Sequence, residues 1–346
     1  MGSFLVFRRP ELEHKKVLII RLSAMGDVVF TIPLANVLKD KGYEVSWLVG
    51  DKGFSLLKNN PAVDEVIHIK KGIKNYFETI KYLRSKKFDI AIDTQGLLKT
   101  YIWTRFCGAK RRIVSKSARE GAVFGGNEVI EKLYTSWNTH VTSDYLKFAE
   151  YLGYKVNDVK VTLPPPTGET IEKIDKLLKD LDKSKPIITI APATTWANKH
   201  WDKDNWKQLV EKLKTDYTII FTGTNKDISL IEYISQGCGL NLTGKTNVEE
   251  LCELFRRTDL VISLDSGSTH LAWGTQIPKI VSIFCCTPDT RYAPLGNSNK
   301  YISLSGNLPC RPCHKKKCPL NTNECTKFPD IDAVLKAVHK LLPVNK

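Results

Sequence analysis

Apolar residues along this chain fall into short β-branched runs separated by longer stretches of mixed polarity. Residues 17–22 (Val-Leu-Ile-Ile-Arg-Leu) form the first run. A small-residue loop, Ser23 to Asp27, follows, and then Val28 to Lys39 repeats its apolar positions at helical spacing up to Gly42. Glu44 to Val49, Glu65 to Ile69 and Ile90 to Asp93 read as further strands, with helical stretches such as Tyr76 to Ser85 between them. Strands alternating with helices predict βαβ units and a mainly parallel sheet. The alternation stops at Pro164-Pro165-Pro166, a stiff connector that cannot be helical. After a helix over Thr170 to Asp182 it restarts. Ile187 to Ala191, Thr218 to Thr222, Leu260 to Leu264 and Lys279 to Phe284 read as buried strands, and Asp204 to Leu213 and Val248 to Arg257 as helices. The chain therefore divides into two α/β halves, residues 1–166 and 167–328. A final segment, 329–346, carries a helix over Ile331 to Leu342 that is open to packing back on the first half.

The length of 346 residues leaves room for two such domains, each with its own core. With 42% hydrophobic and 26% charged residues, the chain is neither disordered nor low-complexity. No apolar run approaches the ~18 residues of a membrane span. The run Phe4 to Phe7 is too short for a signal peptide, so a cytoplasmic protein is expected. The net charge of +15 is uneven: residues 1–166 hold 27 Lys and Arg against 17 Asp and Glu. A basic first half implies an anionic partner. A non-catalytic nucleic-acid-binding module would also explain that charge and the aromatic residues. It would not explain what stands at the strand ends.

Doubly wound domains bind ligands in the loops outside the carboxyl ends of their strands. Four such loops carry chemistry. The first, Ser23 to Asp27, has neither P-loop nor G-x-G-x-x-G spacing, which disfavours an NTPase or a dinucleotide enzyme. It offers a carboxylate, Asp27, that by itself reads as a helix cap. The second, Asp93-Thr94-Gln95-Gly96, offers an acid and an amide. The third, Ala191 to Trp201, sets Lys199 among Thr194, Thr195 and two tryptophans, a donor set that suits an oxyanion or phosphate. The fourth, Asp265-Ser266-Gly267-Ser268-Thr269-His270, puts small residues at a helix start, where backbone N–H groups and the helix dipole favour an anion.

Val17 to Pro33 (VLIIRLSAMGDVVFTIP), Asp93 to Thr100 (DTQGLLKT), Ala118-Arg119-Glu120, Thr194 to Trp201 (TTWANKHW) and Asp265 to His270 (DSGSTH) together resemble the ADP-heptose:lipopolysaccharide heptosyltransferases, glycosyltransferases of family nine, most of all heptosyltransferase I. The resemblance implies a GT-B fold, two Rossmann-like domains facing a cleft, with the acceptor on the first and the nucleotide-sugar on the second. It implies inverting transfer of heptose from ADP-heptose to the Kdo inner core of a lipid A precursor, with no cofactor, metal or nucleic acid, at the cytoplasmic face of the inner membrane. Asp27 falls on the family's general base. Thr194, Thr195, Lys199, Asp265, Ser266, Gly267 and His270 fall on its donor site, and Asp227 where heptosyltransferase I has a glutamate near the nucleoside. Lys70, Lys71, Lys74, Asp93, Gln95 and Arg119 are assigned to the anionic acceptor. The nine cysteines include Cys310-x2-Cys313-x4-Cys318-x6-Cys325, which reads as a local staple, by zinc or disulfide, ahead of free thiols. That segment is expected to lie outside the chemistry.

Overall fold

The computed structural model describes residues 15–343, apart from 71, 135 and 157. In the first half, β1 (Lys16–Ile20), β2 (Glu44–Val49), β3 (Glu65–His68), β4 (Ile90–Asp93), β5 (Arg111–Ser115) and β6 (Glu128–Ile130) form one parallel sheet in the order β3-β2-β1-β4-β5-β6. Its helices are α1 (Met25–Asp40), α2 (Asp51–Leu57), α3 (Ile73–Ser85), α4 (Leu98–Phe106) and α5 (Val141–Tyr151). In the second half, β7 (Ile187–Ala191), β8 (Thr218–Phe221), β9 (Leu240–Asn241), β10 (Leu260–Leu264), β11 (Lys279–Phe284) and β12 (Tyr301–Ser305) form the second parallel sheet, in the order β12-β11-β10-β7-β8-β9. Around it lie α6 (Gly168–Leu177), α7 (Lys203–Leu213), α8 (Ile228–Ser235), α9 (Val248–Arg256), α10 (Gly267–Thr275), α11 (Asp289–Tyr292) and α12 (Ile331–Leu341). The two sheets have the same doubly wound order, counted from opposite ends.

The central strands are apolar on both sides because helices cover both faces of each sheet. Val17 to Ile20 of β1 and all five residues of β10 are buried. α1 is buried nearly all round, from Val28 to Asn36, because it packs on α5 and also on α10 of the second half. Its last turn is closed at Gly42, whose φ of +82° suits a glycine and whose N–H reaches the Lys39 carbonyl at 2.9 Å. Between the halves the Phe30 ring lies 4.4 Å from that of His270 and 5.9 Å from that of Trp273.

The chain crosses from one half to the other through Pro164 to Pro166. The last helix does not return to the first half. Val334, Val338 and Leu341 of α12 enter the core of the second, beside Ile188 and Leu209, and the Tyr217 hydroxyl donates to the Leu342 carbonyl at 2.7 Å. Apolar contacts on its own sheet are what the amphipathic face of this helix finds first, since α12 follows directly on the loops of that half. In each sheet the strand order reverses once, between β1 and β4 and between β7 and β10. The loops that leave those strands are the ones that carry the candidate chemistry.

Candidate active site at the two switch points

The four loops open on one cleft of about 1600 Å³ between the halves. On the first-half wall, Asp27 stands in the first turn of α1, and its Oδ2 accepts the Ala24 N–H at 3.2 Å. To that extent it is the helix cap that it resembles. Its other oxygen, Oδ1, faces the Arg21 guanidinium at 2.9 Å and accepts the Tyr145 hydroxyl at 3.3 Å. Arg21 also donates to the Thr94 carbonyl at 2.6 Å and to the Tyr145 hydroxyl. Tyr134 donates to Tyr145 in turn, at 3.0 Å. Burial works against the charge on Arg21, but Asp27, Tyr145 and Tyr134 together outweigh it and hold the guanidinium above its usual value. The result is a carboxylate fixed on two sides and open to the cleft on the third.

On the second-half wall, Lys199 Nζ lies 2.6 Å from Asp265 Oδ2 and 4.6 Å from the centre of the Trp196 ring. Asp265 also accepts the Thr287 hydroxyl at 2.6 Å, and His270 Nε2 stands 3.6 Å from it. Burial alone would raise the Asp265 carboxyl, but His270 and Lys199 overcome it and hold it far below the carboxylate range. Thr194 donates to the Asp265 carbonyl at 3.4 Å. Ser266 is the residue before α10, yet its hydroxyl is buried and has no hydrogen-bond partner, and neither has His270 Nδ1. A helix N-terminus with an idle hydroxyl and a lysine beside it is built to receive an anion. Farther along, Asp227 accepts both the N–H and the hydroxyl of Thr224 at 2.8 Å, and it lines the cleft with Asn247 and Val248.

The two walls meet at paired glycines. A β-carbon at Gly26 would fall 2.5 Å from His270 Cδ2, and one at Gly267 would fall 2.4 Å from Met25 Cε. The N-termini of α1 and α10 approach this closely because neither position carries a side chain.

Thr194, Thr195, Lys199, Asp227, Asp265, Ser266, Gly267 and His270 thus share a cleft with Asp27, Gln95 and Arg119. Asp93 is not among the lining residues. Its buried carboxylate accepts Gln95 N and Gly96 N at 2.9 Å and the Thr104 hydroxyl at 3.2 Å, so it holds the turn from inside. Lys70 and Lys74 also lie off the cleft, exposed on the outer side of the first half, and Lys71 is outside the described residues. Their charge predicted an anionic partner without predicting which way they face.

Residues 76–323 match the family model of glycosyltransferase family 9 (heptosyltransferase). The chain belongs to that family. It is a glycosyltransferase. Among curated proteins it is 27% identical to the lipopolysaccharide core heptosyltransferase OpsX of Haemophilus influenzae, over 84% of each chain. It is 29% identical to lipopolysaccharide heptosyltransferase 1 of Campylobacter coli, over 83% of this chain and 89% of that one. Among solved structures it is similar to a family 9 glycosyl transferase of Veillonella parvula (TM-score 0.78, 20% identity, 96% and 98% of the two chains). It is also similar to Escherichia coli heptosyltransferase WaaC, solved with ADP (TM-score 0.70, 20% identity, 94% and 99%). The GT-B arrangement expected from the motifs is the fold that these neighbours share.

Several residues of this glycosyltransferase's cleft had no motif to announce them. Arg21 had a faint signal, a lone cation at the end of an apolar run. Tyr134 and Arg291 had none, and neither had Tyr145, which is buried behind the cleft wall. The Arg291 guanidinium, 1% exposed, crosses from the second half to Asp144 Oδ2 at 2.7 Å and to the carbonyls of Ser136 and Thr139. The cysteine segment is not remote from the site: its His314 lines the cleft, stacks on Tyr292 with ring centres 5.8 Å apart, and lies near both Trp137 and Trp196. None of the nine cysteines is in a disulfide, and Cys325 is buried among the core side chains of the second half. Among the described residues, no group of three or more His, Cys, Asp or Glu is arranged to hold a metal ion.

Proposed function

We propose that this enzyme transfers heptose from ADP-heptose to the Kdo inner core of a lipopolysaccharide precursor, with inversion at the anomeric carbon and without a metal. The observation that carries this reading is the facing pair itself. A carboxylate oriented by Arg21 and Tyr145 opens on the same cleft as Lys199, the unpartnered Ser266 hydroxyl and the start of α10, a donor set suited to an anion. Curated relatives over most of the chain are lipopolysaccharide heptosyltransferases, and a structural neighbour was solved with ADP.

In this reading the acceptor hydroxyl enters beside Asp27, which takes its proton as the oxygen attacks the anomeric carbon. General-base assistance of this kind is worth roughly 10²–10⁴-fold. The leaving ADP gathers negative charge on its diphosphate. Lys199, the Ser266 hydroxyl and the free N–H groups of α10 stabilise it there, and Asp265 and His270 keep Lys199 in place. The far end of the cleft, with Asp227 and Asn247, takes the nucleoside. Gln95 and Arg119 take the acceptor's anionic sugar. No helix of the described residues is long and apolar enough to cross a membrane, and the enzyme acts peripherally at the inner face of the membrane that holds its acceptor.

The test is incubation with ADP-heptose and Kdo-lipid A, with the product read by mass spectrometry. A mass gain of one heptose is expected. A gain with another nucleotide-sugar or another acceptor, and none with this pair, would keep the fold and replace the substrates.

A further inference from the structure

Eight of the seventeen large apolar or aromatic side chains exposed among the described residues fall between positions 73 and 124. They lie on neighbouring elements of one face. Leu98, Ile102 and Phe106 follow each other at a spacing of four, along one stripe of α4. Ile73 and Phe77 form the same kind of stripe on α3, and Tyr76 ties that helix to α4 by packing its ring 5.4 Å from that of Trp103. Phe124 extends the patch on the short turn at residues 122–125, which sits against Tyr101 and Thr104 of α4. Ile73, Phe77 and Phe124 each expose 70% or more of their surface. Monomeric soluble proteins seldom leave so many large side chains in water together without a partner.

The charge around them is equally one-sided. Residues 70–125 carry fourteen Lys and Arg against four Asp and Glu, so these 56 positions account for two-thirds of the net charge of +15. Lys74, Lys81 and Arg105 stand on the same two helices as the apolar stripes. Apolar side chains interspersed with cations suit an anionic lipid surface, where the rings and alkyl groups enter the interface and the cations meet the headgroups. A nucleic acid would use the cations and leave the isoleucine, leucine and phenylalanine side chains unexplained.

We propose that the outer face of α3, α4 and the 122–125 turn is the surface by which this enzyme lies on an anionic bilayer. The face adjoins the cleft: Leu97, just before α4, and Arg119, just before the turn, line it. An acceptor whose acyl chains stay in the bilayer can then lift its sugar headgroup over that rim toward Asp27. This placement rests on the reading of the acceptor as lipid-anchored.

The experiment uses the full chain and vesicles of equal parts phosphatidylcholine and phosphatidylglycerol, with pure phosphatidylcholine vesicles alongside. Wild-type protein is expected to sediment with the mixed vesicles and not with the neutral ones. A triple variant, Phe77→Ser, Ile102→Ser and Phe124→Ser, is expected to bind them about 10-fold more weakly or worse. A charge variant, Lys81→Glu with Arg105→Glu, should weaken binding at low salt and lose most of the salt dependence. Both variants should keep wild-type affinity for ADP and wild-type transfer to a deacylated, water-soluble acceptor, because all of these side chains lie outside the cleft. Wild-type protein that ignores both vesicles overturns the proposal, and so does a triple variant that binds as wild type does. It is equally overturned if the triple variant loses self-association, or affinity for duplex DNA, while keeping vesicle binding. Absence of heptose transfer to a Kdo-bearing lipid would overturn the proposed activity instead and leave the vesicle result standing.

Discussion

Gly26 lies against the imidazole of His270 with no room for a side chain: a β-carbon there would sit 2.5 Å from the ring. One residue belongs to the first turn of α1, next to Asp27, and the other to the first turn of α10. The closeness of this contact sets how far the proposed base stands from the donor.

A Gly26→Ala variant should therefore be costly in two ways. The added methyl group has to push the ring or the helix aside, which in a packed interior destabilises by about 1–3 kcal/mol. It should also lower kcat by spreading the cleft. Pairing Gly26→Ala with His270→Ala should recover part of the melting temperature, with a coupling of ~0.5 kcal/mol or more between two positions in contact. Strict additivity in that double-mutant cycle would show that the two residues do not press on each other.

Asp27→Asn should reduce turnover by roughly 10²-fold or more while leaving ADP affinity nearly unchanged, since the amide keeps the shape and loses the basicity. Steady-state kinetics with calorimetric ADP binding would check it. Near-normal turnover would reduce Asp27 to the helix cap it also is. Activity should persist in EDTA, and a strict metal requirement would count against the proposed mechanism.

Lys199→Ala and Ser266→Ala should separate on stability while agreeing on binding. Removing Lys199 takes a charge-assisted contact of about 1.5–3 kcal/mol from a bound diphosphate, or roughly 10–100-fold in ADP affinity. It also strips Asp265 of a neighbour at 2.6 Å, so the melting temperature should fall. The Ser266 hydroxyl is buried with no partner in the free protein. Its loss should leave the melting temperature unchanged or raise it, and still weaken ADP by a few-fold. A Ser266→Ala protein that melts earlier and binds ADP normally would mean the hydroxyl serves the fold.

His140 predicts a pH dependence. Its Nε2 lies 3.0 Å from the Ala293 carbonyl and its Nδ1 accepts the Thr142 N–H at 3.2 Å, a pattern that needs the neutral ring with the proton on Nε2. Burial lowers its pKa from 6.5 to about 4. The unfolded chain therefore binds a proton that the fold refuses, and stability present above pH 6.5 drains away as the pH falls toward 4. By pH 5 the loss should be about 2 kcal/mol. His140→Asn, which keeps an N-cap acceptor, should lose correspondingly less between pH 7 and pH 5 in parallel melts. Equal losses in the two proteins would remove His140 from the account.

The strands most legible in the sequence were those buried on both faces. β1, β4, β7, β10 and β11 are covered by helices above and below, so they read as unbroken apolar runs. The edge strands β6, with three residues, and β9, with two, were too short to leave a pattern. Asp27, Lys199, Asp265 and His270 stood out because each occupies a loop just past a strand. Tyr145 and Arg291 could not stand out: Tyr145 lies 124 positions from Arg21, Arg291 lies 147 from Asp144, and only the folded chain makes them neighbours. The lysines at 70 and 74 show the opposite failure. Composition gave their charge, and nothing local told that they would face outward.

The buried pair of Asp144 and Arg291 has a consequence for recombination among relatives. Each sheet lies wholly on one side of Pro164 to Pro166, so a crossover at the prolines exchanges complete folding units. It also parts residue 144, inherited from one parent, from residue 291, inherited from the other. A hybrid that receives the aspartate without the arginine keeps a carboxylate with 0% of its side chain exposed, whose Oδ1 still faces Lys147 at 3.0 Å but whose Oδ2 has lost its cation at 2.7 Å. An uncompensated buried charge costs about 3–5 kcal/mol, and Lys147 beside Asp144 offsets only part of that loss. The second half can therefore be traded as a module without loss only if these two positions travel as a matched set.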